Sequence, residues 1–466
     1  TVSKADGGQF DGAVTFAGDI IKSTAGTSNF AAGVNAGNSI QSGGNNNVVV
    51  GDEAGTALTT GDNNVALGVF ALDAQTTASN NTALGYAAMT ANTDGTNNVG
   101  VGLLALGANT TGDGNTAIGY ASLDANTTAD NNTAVGIDAL GANTTGTQNT
   151  SLGRVSMYTN TTGNYNLAAG TVALYYNTTG SNNVALGVEA LNNNTTASNN
   201  VSVGYQALKA NTTGASNTAV GSLALLSNTT ASNNTAVGYA SSYKNTTGAN
   251  NVSVGLGSLF ENTTGANNTA IGYQALEENT TGTLNTAVGK GAMSEGTTGS
   301  NNTAVGVSAL DAVNTGNDNT AIGIYSLSDN TSGASNTAVG RSALTANTTG
   351  SSNVGIGRDA LNANTTATYN TAVGYQAGLA ITTGIQNTIL GEEAGKSNQT
   401  GIGNTFIGSD CGFLTTGGRN SFFGKNSGES VTSGTKNTIL GSYNGNQGGL
   451  DIRTSSNYIV LSDGDG

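Results

Sequence analysis

One glycine in every 17 residues is the feature that most restricts what this chain can fold into. Starting at Gly51, glycine recurs at this interval through Gly408 without a miss, and after one 16-residue step it continues at Gly424 and Gly441. We count positions along the chain from this periodic glycine, which is position 0. An asparagine occupies position −4 in each of these repeats. Such a strict period is typical of a solenoid, in which each coil packs only against its neighbours.

The composition narrows the class of protein further. The chain has 466 residues, with 71 glycines, no proline, histidine or tryptophan, one cysteine and only 9% charged residues. Without histidine, the common nucleophile–base pairs and most metal sites are missing, so we expect neither an enzyme nor a bound cofactor. A net charge of −15 provides no basic surface for nucleic acids, and no apolar run is long enough to span a membrane. Cys411 stands where other coils have alanine or serine, which predicts a small packed core residue.

Short segments between turn sequences predict the fold class. Each coil has two runs, such as NTAVG and YQAL, which suit strands of four or five residues, and the intervening NTTG leaves no room for a useful helix. The prediction is an all-β protein, a parallel β-solenoid of about two dozen 17-residue coils. We expect residues 1–28 to form a lead-in, residues 29–441 the solenoid shaft, and residues 442–466 a C-terminal cap or linker.

The two invariant positions predict structure rather than chemistry. The asparagines at position −4 are expected to form a ladder in which each side-chain amide bonds the amide of the next coil. The glycine at position 0 is expected to adopt a backbone conformation closed to other residues, or to let another backbone come close. Central examples of the two positions are Asn200, Gly204, Asn217, Gly221, Asn234 and Gly238.

A size exchange places positions −2 and +4 in one core. In the middle coils position −2 is small and position +4 is usually leucine, whereas near the ends a large residue faces a glycine, as in Phe406 and Gly412. Two groups that share one close-packed volume are expected to compensate in this way. Gly378 breaks the pattern because its partner Ala372 is also small, unless Ile389 of the next coil fills the space.

Alternation along the strand then directs position −1 to the outside of the coil. Val135, Val220 and Ile271 belong to the resulting apolar stripe, and the small residues at position +3 are expected beside it. A long apolar stripe is not left in water on a soluble monomer. We therefore predict that several identical chains join along it with closed cyclic symmetry, as a homotrimer.

The repeats resemble a known group of proteins. NTAVGYQAL and NTAIGYQAL resemble the head repeats of trimeric autotransporter adhesins, and more closely the repeat regions of phage tail fibres, as does FDGAVTFAGDI at 10–20. SSNYIVLSDGDG at 455–466 resembles the stretch before the self-cleaving C-terminal chaperone domain of many phage fibres. The resemblance implies a homotrimeric left-handed parallel β-roll that binds a host or surface glycan. It also implies other virion tail proteins as partners, and a location on a virion tail or at an extracellular or cell surface.

Three glutamates in consecutive coils are candidates for a cation site. Glu261, Glu278 and Glu295 share position +6, and like charges stacked at a strand spacing repel unless something lies between them. Calcium favours several carboxylate oxygens and suits such a stack. The alternative is a solvated loop in which the three acids point apart.

The turn sequence NTT or NTS is a formal acceptor for N-glycosylation. It recurs at position +7 in fourteen coils, the last beginning at Asn364. Candidate attachment sites are Asn109, Asn126, Asn143, Asn211, Asn228 and Asn262. The alternative is that asparagine and threonine occur here because they suit turns through local hydrogen bonds.

These observations predict a non-enzymatic structural fibre or adhesin. The first hypothesis is a phage tail-fibre shaft that attaches to a host surface through many weak contacts, including a row of tyrosines at position +1. A bacterial cell-surface adhesin or extracellular matrix filament is one alternative. An ice-binding solenoid is another, and it requires an exposed, regular row of threonines, for which the NTT turn is a poor candidate.

Overall fold

A computed structural model describes residues 24–462 of the chain. They form an all-β parallel β-solenoid of about 25 coils of about 17 residues, and none of these residues is helical. The predicted fold class is therefore confirmed. The described part of the chain has no helix that is long and apolar enough to cross a membrane. Contacts divide the chain into two compact units, Thr1–Asn217 and Thr218–Gly466.

The first unit carries one parallel sheet built from three-residue strands. Each strand pairs in register with the strand one coil further on, so that Val184 lies beside Val201. The strands are β1 Phe30–Ala32, β2 Val48–Val50, β3 Val65–Leu67, β4 Thr82–Leu84, β5 Val99–Val101, β6 Thr116–Ile118, β7 Thr133–Val135, β8 Thr150–Leu152, β9 Leu167–Ala169, β10 Val184–Leu186 and β11 Val201–Val203.

The second unit repeats this arrangement. Its strands are β12 Thr218–Val220, β13 Thr235–Val237, β14 Val252–Val254, β15 Thr269–Ile271, β16 Thr286–Val288, β17 Thr303–Val305, β18 Thr320–Ile322, β19 Thr337–Val339, β20 Val354–Ile356, β21 Thr371–Val373, β22 Thr388–Leu390, β23 Thr405–Ile407, β24 Ser421–Phe423, β25 Thr438–Leu440, β26 Asn446–Gln447, β27 Leu450–Asp451 and β28 Ile459–Leu461. Strands β26 and β27 form an antiparallel hairpin, after which β28 pairs in parallel with β25. The segment predicted as a cap or linker, 442–466, thus contains a further parallel strand.

Parts of the predicted termini lie outside the described residues. These are residues 1–23 of the lead-in predicted at 1–28, with the segment at 10–20 that resembles phage fibres, and residues 463–466 at the C-terminal end.

The prediction of two strands per coil is wrong, because only positions −3 to −1 are extended. The YQAL segment has left-handed backbone at positions +2 and +4, with φ values of 53° at Gln206 and 51° at Leu208. Such values cannot continue a strand. The segment still bonds to its neighbours, since the N–H of Gln206 donates to the carbonyl oxygen of Val188 at 3.0 Å.

This left-handed backbone strains β-branched residues, which gives a first prediction. Val155 and Val172 stand at position +2 with φ values of 47° and 52°. Because asparagine tolerates this conformation, Val155→Asn should raise the local free energy of unfolding by about 1 kcal/mol. Gln206→Asn at the same position is the control and should change it by only a few tenths. Hydrogen exchange of the affected coil measures both, and a loss of protection in Val155→Asn would contradict the strain.

The periodic glycines behave as predicted, and for both of the reasons given. Gly204, Gly221 and Gly238 have φ values of 135°, 136° and 133°. A Cβ atom on Gly221 would lie 2.4 Å from the carbonyl oxygen of Gly238 in the next coil. The chain can therefore stack at this corner only where the residue has no side chain.

The core of each coil is formed by positions −2, +3 and +4, as in the fully buried Ala219, Ala224 and Leu225. The predicted size exchange is confirmed, because a Cβ atom on Gly412 would lie 2.8 Å from the ring of Phe406. At Gly378 the predicted Ile389 of the next coil contributes to filling the space, with its Cδ1 3.2 Å from the Cβ position. Leu361 of the preceding coil and Ile381 of the same coil contribute as well, both at 3.1 Å. The prediction that position +3 lies beside the outer stripe is wrong, because the glycine turn interrupts the strand's alternation.

Candidate functional site

The asparagines at position −4 form a buried ladder. In the first unit, Asn200 Oδ1 accepts the backbone N–H of Asn217 at 3.0 Å and its Nδ2 at 3.2 Å. Asn200 Nδ2 donates to the carbonyl oxygen of Gly214 at 3.0 Å. In the second unit, Asn234 Oδ1 accepts the backbone N–H of Asn251 at 2.9 Å. The predicted ladder is present, but its recurrent link joins an amide oxygen to the next backbone.

A second asparagine ladder lies at position +7, in the NTT turn. Asn126 Nδ2 donates to Asn109 Oδ1 at 2.9 Å and to the carbonyl oxygen of Ala129 at 3.0 Å. Asn126 Oδ1 in turn accepts Asn143 Nδ2 at 2.9 Å. This ladder joins amide to amide, which is the arrangement expected for position −4.

The second ladder overturns the predicted glycan attachment. The six candidate asparagines, Asn109, Asn126, Asn143, Asn211, Asn228 and Asn262, are fully buried. Their Nδ2 atoms, to which a glycan would be linked, donate to carbonyl oxygens of their own turns. A glycan at any of them and the folded coil exclude each other, so attachment at these asparagines is wrong.

The predicted cation site at Glu261, Glu278 and Glu295 is also wrong. Residues 24–462 contain no group of three or more histidine, cysteine, aspartate or glutamate side chains that could hold a metal ion. Glu261 instead pairs with Lys244, with 2.6 Å between Oε2 and Nζ. Glu278 and Glu295 are exposed to solvent, so these acids form a solvated row.

Two sets of threonines differ in what their hydroxyl groups do. At position +8, Thr110 Oγ1 donates to the carbonyl oxygen of Thr127 at 3.0 Å, and the same bond recurs along the turn. At position −3 on the strands, the hydroxyls of Thr116, Thr133 and Thr150 have no protein partner in the described part of the chain. An in-register row of unpaired hydroxyls therefore lies on the sheet rather than at the turn.

The outside of each coil carries a row of apolar side chains at positions −1 and +1, which we call the aliphatic face. In three consecutive coils of the first unit, Ile118, Val135 and Leu152 are 36–40% exposed at position −1. Tyr120 and Ile137 are 49–51% exposed at position +1. Both positions recur in the second unit, where Ile271 and Tyr273 are exposed. The sheet therefore packs against a filled core on one side and carries partly exposed apolar side chains on the other.

Charges are sparse on the aliphatic face. Where basic residues replace tyrosine at position +1, one stacks on its neighbour: the guanidinium of Arg358 lies 5.8 Å from the ring centre of Tyr375. Arg154 and Lys425 are exposed at the same position. The row is thus mainly uncharged, with a few basic residues and two acidic ones, Asp52 and Glu392.

Cys411 is a packed core residue, as predicted. It is fully buried, and its Sγ donates to the carbonyl oxygen of Phe422 at 3.3 Å. Burial raises the pKa of the thiol to about 12, so it stays protonated and unreactive at neutral pH.

No protein-family model and no curated protein sequence matches the chain.

Proposed function

We propose that this chain is a non-enzymatic structural protein, the shaft of a homotrimeric phage tail fibre that attaches to a host surface. The observation that supports the proposal is the aliphatic face. Its residues stand outside a core that other side chains already fill, and a third to a half of their side-chain surface stays exposed on a single chain. An apolar surface that recurs in coil after coil marks an interaction site.

The energetics favour association along this face. Covering one half-exposed aliphatic side chain stabilises a complex by on the order of 1 kcal/mol, while association costs about 4–15 kcal/mol. The row in a single unit is enough to offset that cost. A closed trimer covers the row in every copy and leaves no copy that can add further chains. A bacterial surface adhesin or matrix filament has the same requirement.

Sedimentation equilibrium of the full chain tests the proposal. We expect a species with three times the 45.7 kDa chain mass. In a triple variant with aspartate at Ile118, Val135 and Leu152, we expect the mass of one chain, because buried unpaired charges are costly. A monomeric wild-type protein would refute the proposal.

The matched control puts three aspartates on the NTT turns of the same region. Thr111, Thr128 and Thr145 are exposed and stand at position +9. Their substitution adds the same charge away from the aliphatic face, so the trimer should persist. Dissociation of this control as well would mean that charge alone, rather than the face, sets the mass.

A second candidate function is ice binding, which the threonines at position −3 favour. Their unpaired hydroxyls are spaced by the strand separation of about 4.8 Å, a regular array for ordered water. This function needs a bare face and therefore a monomer. A monomeric chain that separates the freezing and melting temperatures of a solution would support it, and a trimer without this effect would exclude it.

A further inference from the structure

One coil of the second unit lacks a residue in its turn. The next periodic glycine follows Gly408 after 16 residues rather than 17. The N–H of Thr416 donates to the carbonyl oxygen of Thr432 at 2.8 Å, so the short coil stays in register with the next coil through position +8. Gly417 then takes the role of position +10, because its carbonyl oxygen accepts Asn404 Nδ2 at 3.0 Å. Position +9, a threonine in most coils, is therefore absent.

A cleft lies beside the missing residue and crosses three coils. It has a volume of about 400 Å³, and its lining includes Thr400 of the preceding coil, Gly418 of the short coil and Thr435 of the next. Two basic residues, Arg419 and Lys436, line it as well, whereas no acidic residue does. A cleft of this volume is large enough for a small ligand.

The two basic side chains have no counterion. Arg419 and Lys436 each stand directly before the asparagine at position −4, in two consecutive coils. Like charges one strand spacing apart repel each other. Both side chains are exposed, and neither forms an ion pair within the described range 24–462. An anion placed between them would remove the repulsion.

Backbone N–H groups add uncharged donors to the cleft. In several other coils the N–H at position +11 donates to the side chain at the same position of the next coil, as Thr96 does to Asp113 Oδ1 at 2.6 Å. Gly418 follows Ile402 in this row and has no side chain to accept such a bond. The N–H groups of Ile402 and Gly418 have no acceptor among the described residues. Both residues line the cleft, which therefore offers neutral as well as charged donors.

We propose that this cleft binds a phosphate or sulfate group, held by Arg419, Lys436 and the N–H groups of Ile402 and Gly418. A tetrahedral oxyanion has several acceptor oxygens and takes two parallel hydrogen bonds from a guanidinium. Unpaired backbone N–H groups in turns are common partners of such anions. The net charge of −15 opposes anions at long range, so the affinity comes from these local hydrogen bonds. The site lies on the turns, and it does not depend on the aliphatic face.

Isothermal titration of the full chain with sodium phosphate tests the site, with the ionic strength held constant by sodium chloride. We expect one phosphate per chain. Lys436→Gln should weaken binding at least about tenfold, because it removes a charge-assisted hydrogen bond. The matched control is Lys396→Gln, which removes the same charge from the preceding coil, where Lys396 pairs with Glu393 at 2.9 Å. Its affinity should stay within about twofold of the wild type.

A second variant keeps both basic residues and fills the cleft. Insertion of one threonine between Thr416 and Gly417 restores position +9 and the 17-residue interval, so the coil should fold as the others do. Phosphate binding should fall at least about tenfold although the net charge is unchanged. Phenyl phosphate distinguishes two sources of the group: an affinity similar to that of inorganic phosphate indicates the end of a larger ligand, and a much lower one indicates a free ion.

Three results would overturn the site: no heat with phosphate or sulfate, equal losses in Lys436→Gln and Lys396→Gln, or unchanged affinity after the insertion. The second would assign binding to net charge, and the third to the exposed side chains without the cleft. Sedimentation of every variant separates this site from the proposed fibre. Loss of phosphate binding at an unchanged mass concerns the cleft, and a monomeric wild type concerns the fibre.

Discussion

Replacing Gly255 by alanine should open its coil, with a loss of at least about 3 kcal/mol in the local free energy of unfolding. The added Cβ atom would lie 2.3 Å from the carbonyl oxygen of Gly272 and 2.7 Å from its carbonyl carbon. Both are backbone atoms of the next coil and cannot rotate away. In addition, the φ of 133° at Gly255 lies outside the conformations that alanine adopts at low cost.

Gly257→Ala in the same coil is the matched control. Gly257 also has a positive φ, 62°, but its Cβ position has no neighbour closer than 3.7 Å. This substitution should cost only about 1 kcal/mol, the penalty of a left-handed alanine. Hydrogen exchange of peptides that cover β14 and β15 measures both, and we expect protection to fall at least about a hundredfold for Gly255→Ala. Equal effects would mean that φ, rather than the contact between coils, sets the need for glycine.

The period and the paired residue sizes were enough to predict the stacking and much of the core. Because each coil bonds only to its neighbours, the same residue type must recur at the same position of every coil. The asparagine and glycine rows can therefore be seen directly in the sequence. Volume compensation is visible in the same way. Gly378 has only the small Ala372 at position −2 of its own coil, and this gap in the pattern pointed to Ile389. The structure places Ile389 against Gly378, together with Leu361 and Ile381.

The backbone of the YQAL segment could not be predicted from its side chains. Gln206 and Leu208 are residues without a preference for positive φ, and contacts between coils override their local propensity. A signal was present in other coils, because glycine replaces these residues at Gly257 and Gly395, both of which have positive φ. Glycine in some coils and leucine in others at the same position indicate a left-handed backbone conformation, which leucine adopts only when the surrounding structure enforces it.

The NTT asparagines were misassigned because the same sequence, Asn-Thr-Thr, is both a glycosylation acceptor motif and a turn with a buried asparagine. The residues at position +7 in other coils indicated the interior location, since this position is occupied by Leu58, Ile381 and Val431 in three of them. All three are buried. A position that accepts asparagine or an aliphatic residue, but no charged one, is an interior position where the amide must find partners.

The stacked rings of Tyr158 and Tyr175 were visible in the sequence only as a departure from the repeat. Tyrosines at position +1 drew attention because they recur, whereas Tyr158 and Tyr175 stand at a position where tyrosine is rare. In a repeat protein the regular positions satisfy the stack, and an exception can add contacts between two particular coils. Whether an exception is exposed depends on the direction of its side chain, which the strand pattern does not fix beyond the glycine turn.

Replacing Asn126 by alanine should lower the local free energy of unfolding by about 3 kcal/mol, because two buried amide groups each lose a hydrogen bond. Asn109 Oδ1 no longer receives its hydrogen bond from Asn126. Asn143 Nδ2 no longer donates to Asn126 Oδ1 and keeps only its bond to the carbonyl oxygen of Gly146. The carbonyl oxygen of Ala129 is less affected, since it keeps the bond from Asn115 Nδ2 at 2.8 Å. The measurement is hydrogen exchange of the turns in three neighbouring coils, where protection should fall on both sides of the substitution.

Thr128→Ala separates the ladder from the acceptor motif. Thr128 is exposed and completes the sequence Asn126-Thr127-Thr128. Its loss abolishes the formal glycosylation signal, while all three hydrogen bonds of the Asn126 side chain remain. Its effect on stability should be within about 0.5 kcal/mol. If a glycan stabilised the coil, the two variants would lose protection equally. If the buried amides stabilise the coil, only Asn126→Ala opens the turn. The NTT sequence then recurs because its asparagines hydrogen-bond to each other, rather than because they are modified.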